Sequence, residues 1–246
     1  MAALFRDFLA SKPSLKDEQV YSAVSSRFGI ANRAVLFVRL KMFQVLSGII
    51  NFEELEKVLD VGVTANQERL GSNYFEAMFP YKDRLTCLSD QDAGWLEERY
   101  PGCQFVKGDG RTLPFYDNSF DLVFSNAVLE HVGSEAQQEK FIMECVRVSR
   151  RFLFLTTPNR YHPIELHTAL PFIHWFPKIW HRRLLNILGY KQLSKEENLN
   201  LLSRRDLKFL TRNCLNIKDI RILSVNFLGF PSNLILYMEK TTLAQK

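Results

Sequence analysis

Val58-Leu59-Asp60-Val61-Gly62-Val63-Thr64 is the stretch on which the reading of this chain turns. A short apolar run broken by one Asp and closed by a Gly has no helical spacing. It is the pattern of a parallel strand buried on both faces and ended by a tight turn. The first such turn of an α/β sheet is where strand ends and a helix N-terminus converge on a ligand. A pyrophosphate cradle would need G-x-G-x-x-G, but Val63, Thr64, Ala65 and Asn66 follow Gly62, and no phosphate-loop Lys follows them. The turn therefore points to a ligand without a phosphate chain, and Asp60 suits a cationic ammonium group. The missing cradle also disfavours a nicotinamide dehydrogenase.

Working outward, the elements alternate. Helix is predicted over 72–79 with Pro80 as its stop, strand over 84–88, helix over 92–100, and strands over 104–106 and 120–125. A helix follows over 134–150, opened by the capping box Ser134-x-x-Gln137, and then a strand over 152–156. Such alternation implies a parallel sheet with right-handed crossovers. Two closing apolar runs, 220–227 and 234–238, flank Gly229-Phe230-Pro231-Ser232-Asn233 and read as an antiparallel hairpin at the sheet edge. Upstream, residues 1–52 read as helical. Asp17 and Glu18 precede a stripe of Val20, Tyr21, Val24 and Phe28, Gly29 ends that helix, and Asn32 caps a second, core-packed one.

The composition, 46% hydrophobic and 24% charged in 246 residues, is that of an ordinary globular chain. Cys87, Cys103, Cys145 and Cys214 are widely spaced, without a C-x-x-C pair or a zinc-ligand cluster, so reduced core thiols and no metal are expected. No signal peptide or spanning segment is evident, and the expected location is the cytoplasm. The net charge of +5 is uneven: residues 1–140 carry 15 Lys/Arg against 20 Asp/Glu, and residues 141–246 carry 17 against 7. A basic C-terminal half is compatible with an anionic acceptor, a membrane surface or nucleic acid, and equally with a solvated face.

A second motif is Gly108-Asp109-Gly110-Arg111-Thr112-Leu113-Pro114-Phe115, followed by Asn118-Ser119-Phe120-Asp121-Leu122-Val123. Together with Asp60-Val61-Gly62, it makes residues 55–160 resemble the class I S-adenosylmethionine (SAM)-dependent methyltransferases of the type 11 small-molecule group. A bacterial subgroup with Asp-Val-Gly-Val-Thr at the first turn and Ser72-Asn73-Tyr74-Phe75 after it is most similar. The resemblance implies an α/β fold: a Rossmann-like seven-stranded, mostly parallel sheet with a C-terminal antiparallel hairpin, N-terminal helices and a helical insertion before the hairpin. One domain is expected over 1–246: helices in 1–52, a SAM-binding core in 53–158, an acceptor-side lid in 159–210 and terminal strands in 211–246.

The resemblance also implies roles. Asp60 and Gly62 would hold the donor, Asp109 would accept from the adenine amino group with Gly110 letting backbone approach the ring, and Ser125 and Asn126 would lie beneath the methionine part. Asp90 is the choice for the ribose, with Asp92 behind it as a possible helix cap. Val128-Leu129-Glu130-His131-Val132 and Thr156-Thr157-Pro158-Asn159 match segments after the fourth strand and at the acceptor rim. The first motif keeps only Gly62 of its usual glycines.

Methyl transfer from a sulfonium needs mainly positioning, worth ~7–11 kcal/mol at best. A hydroxyl acceptor would gain from a base, for which His131, His162 and His167 are candidates and Glu165 an alternative. The aromatic, basic stretch from Pro171 to Arg183 can pack onto the sheet as a lid, the preferred reading, or lie in a bilayer interface at the inner membrane surface. The similar subgroup is associated with cell-surface glycan and lipid pathways, which implies a sugar or lipid-linked glycan acceptor. Two rivals remain. A nucleic-acid methyltransferase is supported by the basic half, but Ser125-Asn126-Ala127-Val128 lacks the D/N-P-P-Y/F motif. A non-catalytic SAM-fold protein is supported by the depleted glycines.

Overall fold

The computed structural model describes residues 27–66, 72–165 and 167–241, with side chains in the first helix described from Arg33 onward. The predicted first helix, with Asp17, Glu18, Val20, Tyr21 and Val24, lies outside the described residues. Seven strands form one sheet: β1 (Val58–Val61), β2 (Leu85–Ser89), β3 (Gln104–Lys107), β4 (Phe120–Asn126), β5 (Ser149–Pro158), β6 (Ile217–Phe227) and β7 (Phe230–Lys240). Their order is β3-β2-β1-β4-β5-β7-β6. The first five run parallel, and β7 pairs antiparallel with both β5 and β6. The predicted fold class and edge hairpin are what the structure shows. Strand order reverses between β1 and β4, which opens a crevice at their C-terminal ends.

Strand alternation divides the core. Val58, Leu122 and Phe124 face a cluster that includes Leu36, Leu40, Phe43 and Leu46 of helix α1 (Arg27–Ile49). Leu59, Val61, Val123, Leu153 and Leu155 face the opposite layer, with Phe141, Ile142 and Cys145 of α4 (Glu135–Val148). Two short helices, α2 (Tyr74–Met78) and α3 (Trp95–Arg99), follow β1 and β2. Asp60 shares the face of Val58, two residues earlier, so it points toward α1 and α2.

Some boundaries differ from expectation. α1 runs continuously through Gly29 and Asn32, so neither is a helix boundary. A helical Gly costs only ~1 kcal/mol, less than burying either Leu36 or Leu40 returns. Ser134 occupies the N-cap of α4 with extended backbone, but its side chain makes no cap hydrogen bond and the expected box is not closed. The box instead forms at Ser203 and Asp206, opening α6 (Arg204–Leu210).

Both motifs have structural members. Asp121 Oδ2 accepts the backbone N–H groups of Glu56 (2.8 Å) and Lys57 (3.2 Å), and Arg150 Nε donates to Oδ1 at 2.8 Å. This ties the start of β4 to the entry of β1. Arg147 donates to the carbonyls of Leu113 (3.0 Å) and Phe115 (2.8 Å), while the Leu113 N–H donates to Glu144 at 2.8 Å. Leu113-Pro114-Phe115 is thereby bound to α4.

Beyond β5, the Asn159 N–H donates to the Ser232 carbonyl (2.8 Å) and the Arg160 N–H to the Leu202 carbonyl (2.9 Å). Arg160 donates to the carbonyls of His174 (3.2 Å) and Phe176 (2.7 Å). α5 (Lys178–Ile187) buries His181 and Leu185. Its neighbouring aromatics do not pack onto the sheet as the preferred reading expects: Phe172, Trp175, Phe176 and Trp180 are 45–57% exposed. With the buried stripe of α5 taken by His181 and Leu185, Ile179 and Trp180 turn outward. Among the described residues, no helix is long and apolar enough to cross a membrane.

Candidate active site

Two joined cavities, of about 320 and 480 Å³, occupy the crevice at the strand ends. Their walls share Gly62, Val63, Thr64, Ala127 and His131. Asp60 lines the first lobe and Asp109 the second, so the two acids predicted to grip one ligand stand in adjoining cavities with a shared wall.

In the first lobe Asp60 is 5% exposed. Burial first, and then the nearby Glu76 carboxylate, push its carboxyl well above the ordinary carboxylate range. Arg39, Tyr74 and Glu76 line the same lobe. Sequence reasoning passed over Arg39 and Glu76. The available signal was Arg39 itself, a charge within the apolar run from Val35 to Leu40 of α1. The loop after β1 is held without further glycines: the Thr64 N–H donates to Asn73 Oδ1 (3.0 Å) and Asn73 Nδ2 donates back to the Thr64 carbonyl (2.9 Å). Asn73 has φ +52, a left-handed conformation Asn tolerates.

In the second lobe Asp90 and Asp109 are both exposed to the cleft. The fork of Arg111 grips Asp109, with Nε to Oδ1 at 3.0 Å and Nη2 to Oδ2 at 2.7 Å. That hydrogen bonding holds the Asp109 carboxyl below its usual value. The Arg111 backbone N–H also donates to Oδ1 at 2.8 Å, so Arg111 alone supplies three N–H donors to this carboxylate. Gly110 lines this lobe, and the atoms a Cβ there would meet are Phe141 (2.5 Å) and Val61 (2.9 Å). Asn126 lines the first lobe and accepts from the Thr156 hydroxyl at 2.8 Å. Ser125 lines neither lobe; it is buried, and its hydroxyl donates to the Val61 carbonyl at 2.6 Å. Its place in the donor pocket is therefore corrected to a bridge between β4 and β1.

The histidines separate into two groups. His131, from a 3-10 turn (Leu129–His131), and His167, from the insertion, both line the first lobe. Their Nε2 atoms are 3.2 Å apart. Glu165 is not at the cleft surface; it is 3% exposed and its Oε1 lies 2.6 Å from His167 Nδ1. Burial raises its carboxyl pKa, but the hydrogen bonds and charge of His167 outweigh that and bring it to about 2. Glu165 thus stands behind His167, away from the cleft, where it can orient that ring but not reach an acceptor. His162 lines neither lobe: it is buried, with Nδ1 2.9 Å from the Ile164 carbonyl oxygen. The chain turn at Pro163 withdraws it from the cleft, which corrects its candidacy as a base.

The fold is a Rossmann-like sheet with an open crevice at its switch point. Comparison with known proteins finds likenesses to SAM-dependent methyltransferases. Residues 73–151 match the family described as "Methyltransferase domain". Two proteins of Mycobacterium tuberculosis, from strains CDC 1551 and H37Rv, each described as a probable S-adenosylmethionine-dependent methyltransferase, are 36% identical over 67 residues, covering 26% of this chain and 23% of each relative. The chain thus matches about a quarter of the length of these curated relatives. Among solved structures, a SAM-dependent methyltransferase from Thermotoga maritima superposes with a TM-score of 0.54 at 16% identity, covering 98% of this chain and 100% of that one. Another from Methanosarcina mazei gives 0.51 at 18% identity, covering 80% and 96%. These structural likenesses establish the fold.

Proposed function

We propose that this protein transfers a methyl group from S-adenosylmethionine to a hydroxyl of a small-molecule acceptor, a sugar or lipid-linked glycan. The observation that carries the reading is the pair of adjoining cavities, with the buried Asp60 carboxyl in one and the Asp109–Arg111 pair in the other. Asp60, desolvated beside Glu76, stands where a cationic amino-acid group would relieve its burial. Arg39 in the same lobe suits the donor's carboxylate. Asp90 would take ribose hydroxyls and Asp109 the adenine amino group.

The donor supplies an activated methyl group on sulfur. The protein's own task is to bring the acceptor oxygen into line with it and exclude water. An acceptor hydroxyl would be activated at His131 and His167, which face each other at the first lobe, by an imidazole directly or, where the two rings hold a cation, through that cation. The acceptor class rests on the resemblance to the Asp-Val-Gly-Val-Thr subgroup. It is supported by the exposed Phe172, Trp175, Phe176 and Trp180 together with the exposed Arg183, an aromatic surface with a cation suited to an interfacial, lipid-linked substrate.

Calorimetric titration with S-adenosylmethionine tests the donor half: one-to-one binding is expected. An inert baseline at millimolar donor would instead favour the non-catalytic reading that the glycine-poor first turn suggests. Mass spectrometry of glycans and lipid-linked sugars incubated with isotopically labelled donor tests the acceptor half; label appearing only in nucleic acid would overturn it.

A further inference from the structure

Three donor atoms converge beside the point where the two lobes of the cleft meet. They come from Glu130, His131 and His167, and all lie within 4.8 Å of one another. The surrounding hydrogen bonds decide which ring nitrogens carry protons. His131 Nδ1 is 2.6 Å from the Asn198 carbonyl oxygen, which can only accept. His167 Nδ1 is 2.6 Å from Glu165 Oε1, which also accepts the His167 backbone N–H, while Glu165 Oε2 accepts the N–H and hydroxyl of Thr168. That carboxylate is an acceptor throughout.

Both Nδ1 atoms therefore bear hydrogen, so whenever the rings are neutral their lone pairs lie at Nε2. These lone pairs face each other at 3.2 Å. Two acceptors at that distance repel unless something positive joins them. Glu130 adds a second reason for a cation. Its side chain is wholly buried, and its Oε2 accepts the Thr157 hydroxyl at 2.9 Å. Its Oε1 meets no hydrogen-bond donor among the described residues and lies 3.8 Å from His131 Nε2.

We infer that Glu130, His131 and His167 bind a divalent transition-metal ion of the zinc class, with a coordination position open to the cleft. Two imidazoles and one carboxylate suit Zn, Fe, Co or Ni rather than Mg or Ca. Two nitrogens each about 2.0–2.1 Å from a tetrahedral zinc are separated by roughly 3.3 Å, close to the observed spacing. The carboxylate side is wider, and the terminal torsion of Glu is the soft one that can close it. The outer shell is already built: Asn198 and Glu165 fix both rings in the tautomer that presents Nε2, and Thr157 orients Glu130. Glu130 is buried while His131 and His167 are 38% and 22% exposed, so the open side of such an ion faces the cleft. There it would polarise an oxygen ligand as a Lewis acid. Only that last role rests on the proposed methyl transfer; the metal site does not. His131 and His167 are 36 residues apart in the chain, so the insertion completes the set.

The test uses the full chain, stripped with a chelator and titrated near neutral pH with Co²⁺, read by its visible absorption, and with Zn²⁺ against a chromophoric chelator. One equivalent should bind. His131→Ala and His167→Ala, checked for folding by circular dichroism, should each weaken binding by more than the ~10–100-fold typical of outer-shell changes, and Glu165→Gln by about that outer-shell factor. Absence of stoichiometric binding at micromolar metal would overturn the inference, as would affinity unchanged in the double His131→Ala/His167→Ala variant. A strongly downfield shared imidazole proton that persists in excess zinc would overturn it as well, by assigning the cation to a proton. SAM titration of the same stripped protein separates the two readings: metal binding without donor binding defeats the proposed function and leaves this one standing.

Discussion

A Cβ built on Gly62 would lie 2.3 Å from Val128 Cγ2. Gly62 also has φ +91, and its N–H donates to the Leu88 carbonyl at 2.7 Å. The single glycine retained in the first turn is therefore required twice, by conformation and by contact. Gly62→Ala should lose about 1–3 kcal/mol of stability. Adding Val128→Ala removes the clash but not the strained φ, so urea unfolding should show partial recovery. Full recovery would mean that φ carries no cost there.

Asp60→Asn separates donor binding from folding. The Asp60 carboxyl is raised by burial and by Glu76. A raised carboxyl contributes stability that is present below its unfolded value and lost as pH rises through its folded value. The unliganded protein should therefore lose stability as pH climbs from about 3.8 toward neutrality. Asp60→Asn should remove that loss and be at least as stable as the wild type at neutral pH. Its affinity for S-adenosylmethionine should fall by about 1.5–3 kcal/mol, the range for hydrogen bonds to charged groups. Unchanged affinity in calorimetry would refute the donor role of Asp60.

Acid sensitivity should arise in the insertion. His181 is 8% exposed, and its buried Nε2 meets no hydrogen-bond partner among the described residues. Burial lowers its pKa from 6.5 to about 4. Between those values the unfolded chain binds a proton that the folded one does not, so stability falls as pH drops from 6.5 toward 4. Denaturant midpoints of His181→Gln should be flatter across that window; a parallel curve would remove His181 as the cause.

Ala127 ends β4 at the shared wall of the two lobes with φ +55. A left-handed Ala costs roughly 1–2 kcal/mol, and Gly at that position returns about 0.4–1 kcal/mol of it to unfolded-state entropy. Ala127→Gly should therefore stabilise the fold by up to about 1 kcal/mol. A thermal midpoint below the wild type's would show that its methyl packs usefully at the cleft.

Much of the architecture was legible because its causes are local. The run around Leu59 and the runs ending at Phe124 and Leu155 are apolar over strand length, and they appear as neighbouring strands. Ser134 shows the limit of local reading: the residue sits at the helix start, yet Gln138 Nε2 donates to the Leu129 (3.0 Å) and Asn200 (2.8 Å) carbonyls and ties that end to distant chain. Asp60, Gly62, Asp90 and Asp109 line the cavities because each lies at a strand end or in the turn beyond one, where topology alone aims residues at the crevice. Ser125 and His162 were misplaced because a buried polar group takes whichever partner packing supplies, and no spacing rule names that partner.

The sequence by itself determined the alternation of strand and helix, the strand-end acids and the absence of a phosphate cradle, since these follow from periodicity and residue type within a few positions. Only the tertiary structure decided that Arg39 and Glu76 join Asp60, that Asp109 is gripped by Arg111, and that His167 meets His131 over the cleft. Those pairings depend on which side chains packing leaves desolvated and facing one another, a property of the assembled layers rather than of any one segment.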